Sequence, residues 1–395
     1  MSTTFKFGNK NWAWKEGSVL AYNDENNNFK PLPFDFTRSS SATRVNKEGL
    51  IEVVGSDEPR VDYLNNADGH LLLEPSRTNL VIRSDDASAG YWNISGTVTI
   101  TADSEISPDG TQNADTLTIS SPTGGLYSDD TSVSASTTYT FSFYAKRGTI
   151  ASDETALAVR DQSNAAFIST DVTYSVTTDS WTRVEHTFTT PVGCTSVRLY
   201  PQRLSGLGQG TIHLWGFQLE QGSYATSYIP TSGSSVTRAA DIAPEKAGNT
   251  SVFGDSEGIL YVETAGLING EETRVLSISD GSSANNVYIN LDPTANKIQG
   301  AVRVGNVGQC ALNANTTNQT EFNKIALKYK ANDFALWING TEVATDTVGS
   351  TFPNGTLDRF NFDFGQGSFD FYGKVKDIKV YNTALTDAQL IALTS

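Results

Sequence analysis

The chain has 395 residues, a formal net charge of −16 and only two cysteines, Cys194 and Cys310. The acidic balance argues against nucleic acid as a partner, since polyanions are bound through Lys and Arg. Two cysteines exclude a disulfide framework and a cysteine-built zinc site. No stretch is apolar enough over a transmembrane length, so we expect no membrane insertion.

Residues 1–85 contain many turn-forming residues and few periodic apolar runs. Four arginines stand near carboxylates in this segment, and guanidinium–carboxylate pairs make geometrically specific contacts within a chain or between subunits. A solvated charged surface is the alternative interpretation. The four candidate assembly residues are Arg38, Arg44, Arg60 and Arg77.

Three blocks of this segment resemble the N-terminal region of many bacteriophage tail-fibre, head-fibre and related virion proteins. The blocks are Phe34–Ile51, Pro59–Tyr63 and Leu71–Leu80. The resemblance implies that residues 1–85 are an irregular segment for docking onto other virion proteins or for oligomerisation. It also implies a homotrimer, made in the host cytoplasm and exposed on the surface of the virion.

Residues 86–231 show the period-two alternation of short β-strands. Tyr139, Phe141 and Phe143 alternate, and Thr211–Gln221 is a long predicted strand. Turns at regular intervals indicate a β-sandwich. Parts of this region resemble the jelly-roll carbohydrate-binding modules that accompany glycanases and phage fibres, namely Ser107–Asp115, Tyr139–Lys146 and Trp215–Glu220. Residues 232–250, rich in Gly, Ser and Pro, are the predicted linker.

Residues 251–395 repeat the strand pattern and then end in a short helix. Asn339-Gly340 predicts a hairpin turn with positive φ, and Thr386 with Gln389 three residues later predicts a capping box. Two stretches, Trp337–Gly340 and Gly373–Thr386, resemble the C-terminal half of laminin-G/concanavalin A-like lectin domains. The overall prediction is an all-β protein, with two β-sandwich (jelly-roll) domains in tandem after the irregular N-terminal segment.

Catalytic signatures are missing from the sequence. It contains no G-x-S-x-G, P-loop, H-E-x-x-H or EF-hand pattern. His186 and His213 are in phase with apolar strand neighbours and are predicted to be hydrogen-bonded structural residues, whereas His70 follows a turn and is predicted to be solvated. We therefore predict no enzymatic activity. A polysaccharide depolymerase is an alternative, because glycoside hydrolysis needs only two well-placed carboxylates.

Sugar binding requires aromatic faces together with polar side chains that contact hydroxyl groups. A Gly/Ser-rich loop also offers oxygen ligands for Ca²⁺, with a solvated loop as the alternative. The aromatic candidates are Trp92, Tyr127, Trp181 and Tyr200 in the first sandwich and Tyr288, Trp337 and Phe369 in the second, of which Trp337 is expected to be a packing residue. The Ca²⁺ candidates are Asp280, Asn285 and Asn286.

These resemblances and patterns predict a phage virion fibre protein that attaches to host-surface polysaccharide without catalysis. The first alternative is a purely structural virion component, such as a capsid decoration, whose sandwiches bind other virion proteins. The second is the depolymerase.

Overall fold

The computed structural model describes residues 5–10, 12–15, 18–23, 28–121, 124–151, 155–203, 209–243, 250–268, 272–294, 296–315 and 317–395. Strands account for 49% of the structure and helix for 2%, which confirms the all-β prediction. No helix in these ranges is long and apolar enough to cross a membrane.

The strands follow one another closely along the chain. Those before residue 133 are β1 (Phe5–Gly8), β2 (Ala13–Lys15), β3 (Ser18–Asn23), β4 (Asn28–Asp35), β5 (Ala42–Val45), β6 (Ile51–Val54), β7 (Arg60–Asp62), β8 (His70–Leu73), β9 (Arg77–Asn79), β10 (Trp92–Ser95), β11 (Val98–Glu105), β12 (Ala114–Ile119), β13 (Gly125–Ser128) and β14 (Thr131–Ser132). The next are β15 (Thr138–Arg147), β16 (Ala156–Asp161), β17 (Ala166–Thr173), β18 (Thr182–Thr189), β19 (Ser196–Tyr200), β20 (Gln202–Arg203), β21 (Gly210–Gln221) and β22 (Val236–Arg238). The last elements are β23 (Glu257–Gly266), β24 (Arg274–Ser279), β25 (Asn286–Leu291), β26 (Ile298–Val304), β27 (Val307–Ala314), β28 (Asn323–Lys330), β29 (Phe334–Ile338), β30 (Thr341–Asp346), β31 (Arg359–Asn361), β32 (Gly373–Tyr381) and α1 (Asp387–Thr394).

The chain forms two compact units. Unit 1 consists of Met1–Ser41, Val54–Pro75 and Ala240–Ser395, and unit 2 consists of Ala42–Val53 and Ser76–Ala239. This division differs from the predicted boundaries, because residues 1–85 are shared between the units and contain strands of their own. Of the predicted linker 232–250, residues 244–249 lie outside the described residues and Val236–Arg238 pairs with Arg77–Asn79.

Unit 1 is built on an eight-stranded and a five-stranded antiparallel sheet. The first has the order β30-β29-β28-β23-β32-β8-β7, with β1 also pairing β32, and the second has the order β27-β26-β25-β24-β31. Alternating apolar residues of both sheets form its core, to which the N-terminal segment contributes Phe36, Leu71 and Leu73. Strands β1, β7 and β8 of the N-terminal segment thus complete a sheet of unit 1 whose other strands lie more than 180 residues later.

The C-terminal features of unit 1 confirm the predictions made for them. Asn339 and Gly340 adopt φ values of 49° and 81° in the turn between β29 and β30. The capping box is formed, with the Thr386 backbone N–H donating to Gln389 Oε1 at 2.9 Å. Helix α1 packs Leu390 against a small cluster that also contains Trp337, which is a packing residue as expected.

Two arginines predicted to mediate assembly are instead internal to unit 1. The side chains of Arg38 and Arg60 are 0% exposed, and both contact the carboxylate of Asp241. Arg60 also pairs with Glu74 at 2.8 Å, and the Glu74 backbone N–H donates to Asp241 Oδ2 at 2.8 Å. The prediction that Arg38 and Arg60 dock onto another protein is wrong, because their guanidinium groups are enclosed by their own chain.

The charged state of this cluster is stabilised by its pairing. Burial alone disfavours a charged guanidinium, but the nearby carboxylates of Asp241 and Glu74 outweigh burial and raise the pKa of Arg60.

His70 is buried in the same unit, so its predicted solvation is wrong. Burial, followed by the positive charges of Lys374 and Lys376, lowers the pKa of His70 to about 3.

Unit 2 contains the sandwich predicted for residues 86–231. Its five-stranded sheet has the order β11-β12-β21-β15-β18, its four-stranded sheet the order β14-β19-β16-β17, and a three-stranded sheet the order β10-β13-β20. The predicted alternation is confirmed, since Tyr139, Phe141 and Phe143 all belong to the core. The β5–β6 hairpin adds Ile51 to a second cluster around Trp215.

The other two candidate assembly arginines have local partners in unit 2. Arg44 lies in the β5–β6 hairpin and contacts Glu52 at 2.7 Å. Arg77 stacks on Tyr224, with its guanidinium carbon 5.4 Å from the ring centroid. Both side chains are only partly buried, and their role in assembly stays a prediction.

Asp115 provides a test of pH dependence in unit 2. It is 2% exposed, and its carboxylate accepts the backbone N–H groups of Asp103 at 2.9 Å and Ala87 at 2.6 Å. Burial nevertheless dominates and raises its pKa from 3.8 to about 6. A raised folded-state pKa means that the native state binds the proton more tightly than the unfolded chain, so this stabilisation is complete below pH 3.8 and is lost as the pH rises through about 6.

We therefore expect unit 2 to gain stability between pH 7 and pH 5, by about 1 kcal/mol from this group. Urea denaturation of the full chain at several pH values measures the slope of the free energy of unfolding against pH. The Asp115→Asn variant should be less stable at every pH, because the backbone N–H of either Asp103 or Ala87 loses its acceptor. Its free energy of unfolding should, however, vary less with pH than that of the wild-type protein. An unchanged slope in the variant would assign the pH dependence to other groups.

Candidate functional site

The predicted aromatic candidates of unit 2 separate into core and surface residues. Trp92 is 5% exposed, its indole N–H donates to the Arg83 carbonyl at 2.9 Å, and its ring lies 4.3 Å from that of Phe217. Its faces are therefore occupied by core contacts, and the prediction that Trp92 contacts a ligand is wrong. Trp181 is half-buried over the Trp215 cluster and donates to the Ile106 carbonyl at 2.9 Å, so it does not share a surface with the other candidates.

Tyr127 and Tyr200 are brought together by the fold. Their ring centroids lie 5.6 Å apart with an interplanar angle of 32°. Strand alternation explains their direction, because Leu126 of β13 and Leu199 of β19 point into the core. Phe167 of β17, which is 39% exposed, joins them with its ring 5.9 Å from that of Tyr200.

Three arginines lie over these rings. The guanidinium carbon of Arg198 is 5.1 Å from the Tyr127 centroid, and those of Arg160 and Arg203 are 6.0 Å and 4.1 Å from the Phe167 centroid. These distances are typical of cation–π contacts. We call this surface the arginine–aromatic face, and it comprises Tyr127, Arg160, Phe167, Arg198, Tyr200 and Arg203.

Tyr127 and Tyr200 were predicted from the sequence as ligand contacts, whereas the other four residues of the arginine–aromatic face were not. One signal was available in the sequence: Val197 and Leu199 alternate with Arg198 and Tyr200, which places the last two on the face opposite the core. The proximity of the Phe167 ring to the Tyr200 ring could not be deduced in this way. It depends on the pairing of β16 with both β17 and β19.

A polar network borders the arginine–aromatic face. Asp130 Oδ1 accepts from Arg198 Nη2 at 2.7 Å and from Gln162 Nε2 at 2.8 Å, and Gln162 in turn accepts from Arg160. Burial opposes ionisation of Asp130, but the hydrogen bonds from Gln162 and Arg198 outweigh it and lower the pKa of Asp130. The carboxylate is thus a fixed acceptor that orients Arg198.

At its other end, the face is bounded by contacts of Arg203. This guanidinium donates to the Thr170 hydroxyl and lies 3.5 Å from the Asp171 carboxylate. Rings, guanidinium groups, an amide and hydroxyls are therefore combined on one surface, to which the three-stranded sheet contributes Tyr127 and Arg203 and the four-stranded sheet the remaining residues of the face. Such a surface can stack on C–H faces and hydrogen-bond to hydroxyl or acidic groups.

Unit 1 has a smaller aromatic group on its five-stranded sheet. The ring of Tyr288 lies 4.8 Å from that of Phe364, which is 6.1 Å from Phe369. Phe369 is 56% exposed and adopts a φ of 60°. The predicted ligand contacts Tyr288 and Phe369 thus belong to one group, although Phe364 separates their rings.

The loop with the predicted Ca²⁺ ligands is held by its own hydrogen bonds. Asp280 Oδ1 accepts from the Ser282 N–H at 2.9 Å, and Asp280 Oδ2 accepts from Asn285 Nδ2 at 2.8 Å. Asn286 is fully buried, with its Nδ2 directed to the Ser283 carbonyl at 3.4 Å. The Asn285 Oδ1 atom is already used as an acceptor, for the Gly305 N–H at 2.8 Å, and within the described ranges no three His, Cys, Asp or Glu side chains are grouped to hold a metal ion. The geometry gives the Ca²⁺ prediction no support.

Two protein-family models match parts of this chain. Residues 84–202 match a carbohydrate binding domain, and residues 264–391 match the concanavalin A-like lectin/glucanases superfamily. The chain therefore contains a carbohydrate-binding module and a laminin-G/concanavalin A-like lectin domain, as predicted. The arginine–aromatic face lies within the first match except for Arg203, one residue beyond it. No curated protein matches the chain.

Several solved structures are similar to about a third of the chain. The CBM40 domain of the Ruminococcus gnavus IT-sialidase, bound to α2,3-sialyllactose, shares 19% identity over 37% of this chain and 86% of its own, with a TM-score of 0.32. A leech intramolecular trans-sialidase shares 22% identity over 36% of this chain and 23% of its own, with a TM-score of 0.31. A heptameric SAP-like pentraxin from Limulus polyphemus shares 12% identity over 35% and 70%, with a TM-score of 0.30. At these scores the likenesses carry no functional argument.

Proposed function

We propose that this chain is a glycan-binding protein, and that the arginine–aromatic face of its carbohydrate-binding module is the principal binding site. The observation that carries the proposal is the convergence of Tyr127, Phe167 and Tyr200 with a hydrogen-bonding network on one surface of unit 2. Aromatic rings stack on the C–H faces of sugars, while amide, guanidinium and carboxylate groups bind the hydroxyls. The match of residues 84–202 to a carbohydrate binding domain supports the same conclusion.

The proposed role is binding without catalysis at this face. A retaining or inverting glycosidase needs one carboxylic acid that can donate a proton. Asp130 is the carboxylate most closely integrated into the face, and its lowered pKa keeps it ionised and unsuited to donating a proton. Its hydrogen bonds to Arg198 and Gln162 assign it a structural role instead.

The biological setting is a further part of the proposal. The resemblance of residues 34–80 to virion proteins supports a phage fibre that adheres to host-surface polysaccharide. Several linked copies would convert weak single-site affinity into durable attachment. The burial of Arg38 and Arg60 removes them from any docking surface, so attachment to a particle would use other residues of the segment.

Replacing Tyr127 or Tyr200 with alanine should weaken glycan binding about ten-fold or more, since each loses a stacking ring. The full-length protein and its variants can be measured by affinity electrophoresis and calorimetry against host envelope polysaccharides. Tyr224→Ala is the matched control, because Tyr224 lies in unit 2 away from the face and contacts Arg77. Unchanged binding in both face variants would refute the proposed site.

Two further readouts separate the alternatives. Tyr288→Ala tests whether unit 1 adds a second site, which would appear as partial loss of binding. Shortening of the polysaccharide during incubation would contradict the non-catalytic part of the proposal. If no host polysaccharide is bound, the structural virion component becomes the better hypothesis.

A further inference from the structure

We propose that the ligand of the arginine–aromatic face is an acidic glycan, a polysaccharide whose sugar carboxylates are bound by Arg160 together with Arg198. This inference rests on the proposed glycan-binding function and specifies its ligand. Three observations lead to it: the local charge, the register of the strands and the partners of Arg160.

The local charge of the face contrasts with that of the whole chain. The protein carries a formal net charge of −16, yet Arg160, Arg198 and Arg203 cluster on one small surface. Among the residues that the structure describes, the carboxylates in contact with these three arginines are Asp130 and Asp171, so the arginines outnumber their carboxylate partners. A positive patch on an acidic protein favours an anionic ligand at that place, since distant acidic groups are screened by salt.

Strand register places two of these arginines side by side. Arg160 of β16 is directly opposite Arg198 of β19, and on its other side it is opposite Phe167 of β17. Like charges directly opposite in an antiparallel pair destabilise a sheet. Asp130 offsets the charge of Arg198 through two hydrogen bonds, at 2.7 Å from Nη2 and 3.1 Å from Nε. Within the described ranges Arg160 makes no hydrogen bond to a carboxylate, and the Asp130 carboxylate acts on its charge without direct contact.

In the described part of the chain, the side-chain contacts of Arg160 are with neutral groups. Its guanidinium donates to the amide oxygen of Gln162 and lies over the ring of Phe167, and it pairs with no carboxylate among the described residues. The hydrogen bond to Gln162 needs no positive charge, and the cation–π contact with Phe167 contributes only about 0.5–1 kcal/mol at an exposed site, which the opposed charge of Arg198 offsets. A ligand carboxylate accounts for the charge.

Stacking on the rings also prepares the guanidinium groups for such a ligand. A guanidinium held against an aromatic face loses little further freedom when it binds, and its planar fork matches the two oxygens of a carboxylate. Neutral sugar hydroxyls would make weaker hydrogen bonds to the same donors. The face should therefore discriminate acidic from neutral glycans rather than bind both equally.

The test compares polymers that differ only in charge. Full-length protein is titrated with polygalacturonate, alginate and hyaluronan, and with the carboxyl-reduced form of each. Dextran sulfate and dextran are the probes for charge without a carboxylate. We expect one or more acidic polymers to bind at least ten-fold more tightly than the reduced form, and this preference to shrink as NaCl is raised from about 0.05 to 0.5 M.

The variant Arg160→Gln should abolish most of that preference, and Arg160→Lys should restore only part of it because a lysine lacks the bidentate fork. Lys146→Gln is the control with the same change of charge, since Lys146 lies on the five-stranded sheet of unit 2 and pairs with Glu105 at 3.1 Å. It should bind like the wild-type protein. Circular dichroism and thermal unfolding verify that each variant is folded.

The outcomes distinguish this inference from the proposed function. Equal binding of acidic and reduced polymers, or an unaffected Arg160→Gln variant, would overturn the acidic ligand, while loss of binding in Tyr127→Ala would still support the site. Equal binding of dextran sulfate and the carboxylated polymers would show attraction by charge alone and overturn carboxylate recognition. Absence of binding to every polymer would overturn both proposals.

Discussion

Replacing Asp241 with alanine should lower the free energy of unfolding of unit 1 by about 3 kcal/mol or more. The carboxylate contacts two fully buried guanidinium groups, those of Arg38 and Arg60, and also accepts the backbone N–H of Glu74. Its removal leaves two buried positive charges with Glu74 as the remaining carboxylate of the cluster. An uncompensated charge in a low-dielectric interior costs several kcal/mol even after the structure relaxes.

The measurement is urea denaturation and calorimetry of the full chain. Asp333→Ala is the matched control, because it removes a carboxylate from a pair with Lys328 in the same unit, but the Asp333 side chain is 49% exposed. Pairs of that kind contribute about 1 kcal/mol or less. If Asp241→Ala and Asp333→Ala lose similar stability, the buried cluster is not a major stabilising element of unit 1.

Replacing Asn79 with aspartate should destabilise unit 2 by about 3 kcal/mol or more. Asn79 is fully buried, and its amide nitrogen donates to the carbonyls of Phe217 at 3.0 Å and Ile229 at 2.9 Å. Its amide oxygen accepts the N–H groups of Val81 and Leu219, both at 3.1 Å. Aspartate has nearly the same shape but no donor, so two buried carbonyls would face a carboxylate.

The control for this change is Asn46→Asp in the β5–β6 hairpin of the same unit. Asn46 is partly exposed, and its oxygen accepts the N–H groups of Glu48 and Leu50, which an aspartate can also do. We expect it to lose less than about 1 kcal/mol, from the contact with Glu52. Denaturation curves for both variants measure the loss in free energy of unfolding. Equal losses in the two variants would contradict the proposed importance of the four Asn79 hydrogen bonds.

Local patterns in the sequence were sufficient for the fold class and for several individual elements. The alternation of Tyr139, Phe141 and Phe143 predicted a buried strand face because side chains of a strand point to opposite sides at every step. The turn at Asn339-Gly340 and the capping box at Thr386 were predictable for the same reason: each depends on contacts within a few residues. Tyr127 and Tyr200 were identified by residue type alone.

The candidate site was only partly predictable, because its residues come from strands that are neighbours in space rather than in sequence. Residue type could not separate Trp92, which is in the core, from Tyr127, which is on the surface. Nor could it show that Arg160 would lie opposite both Arg198 and Phe167. The register between strands decides this, and register depends on the packing of the whole sandwich.

By itself, the sequence determined the all-β architecture, the positions of many strands and turns, and the likeness to glycan-binding modules, since these depend on local periodicity and short motifs. Only the tertiary structure determined which charged side chains of the N-terminal segment are buried and which groups they pair with. Arg38 finds its carboxylate in Asp241, 203 positions away, and Arg60 reaches the same group. The physical reason is that the energy of a buried charge depends on which groups surround it in space, and charge signs along the chain do not specify those neighbours.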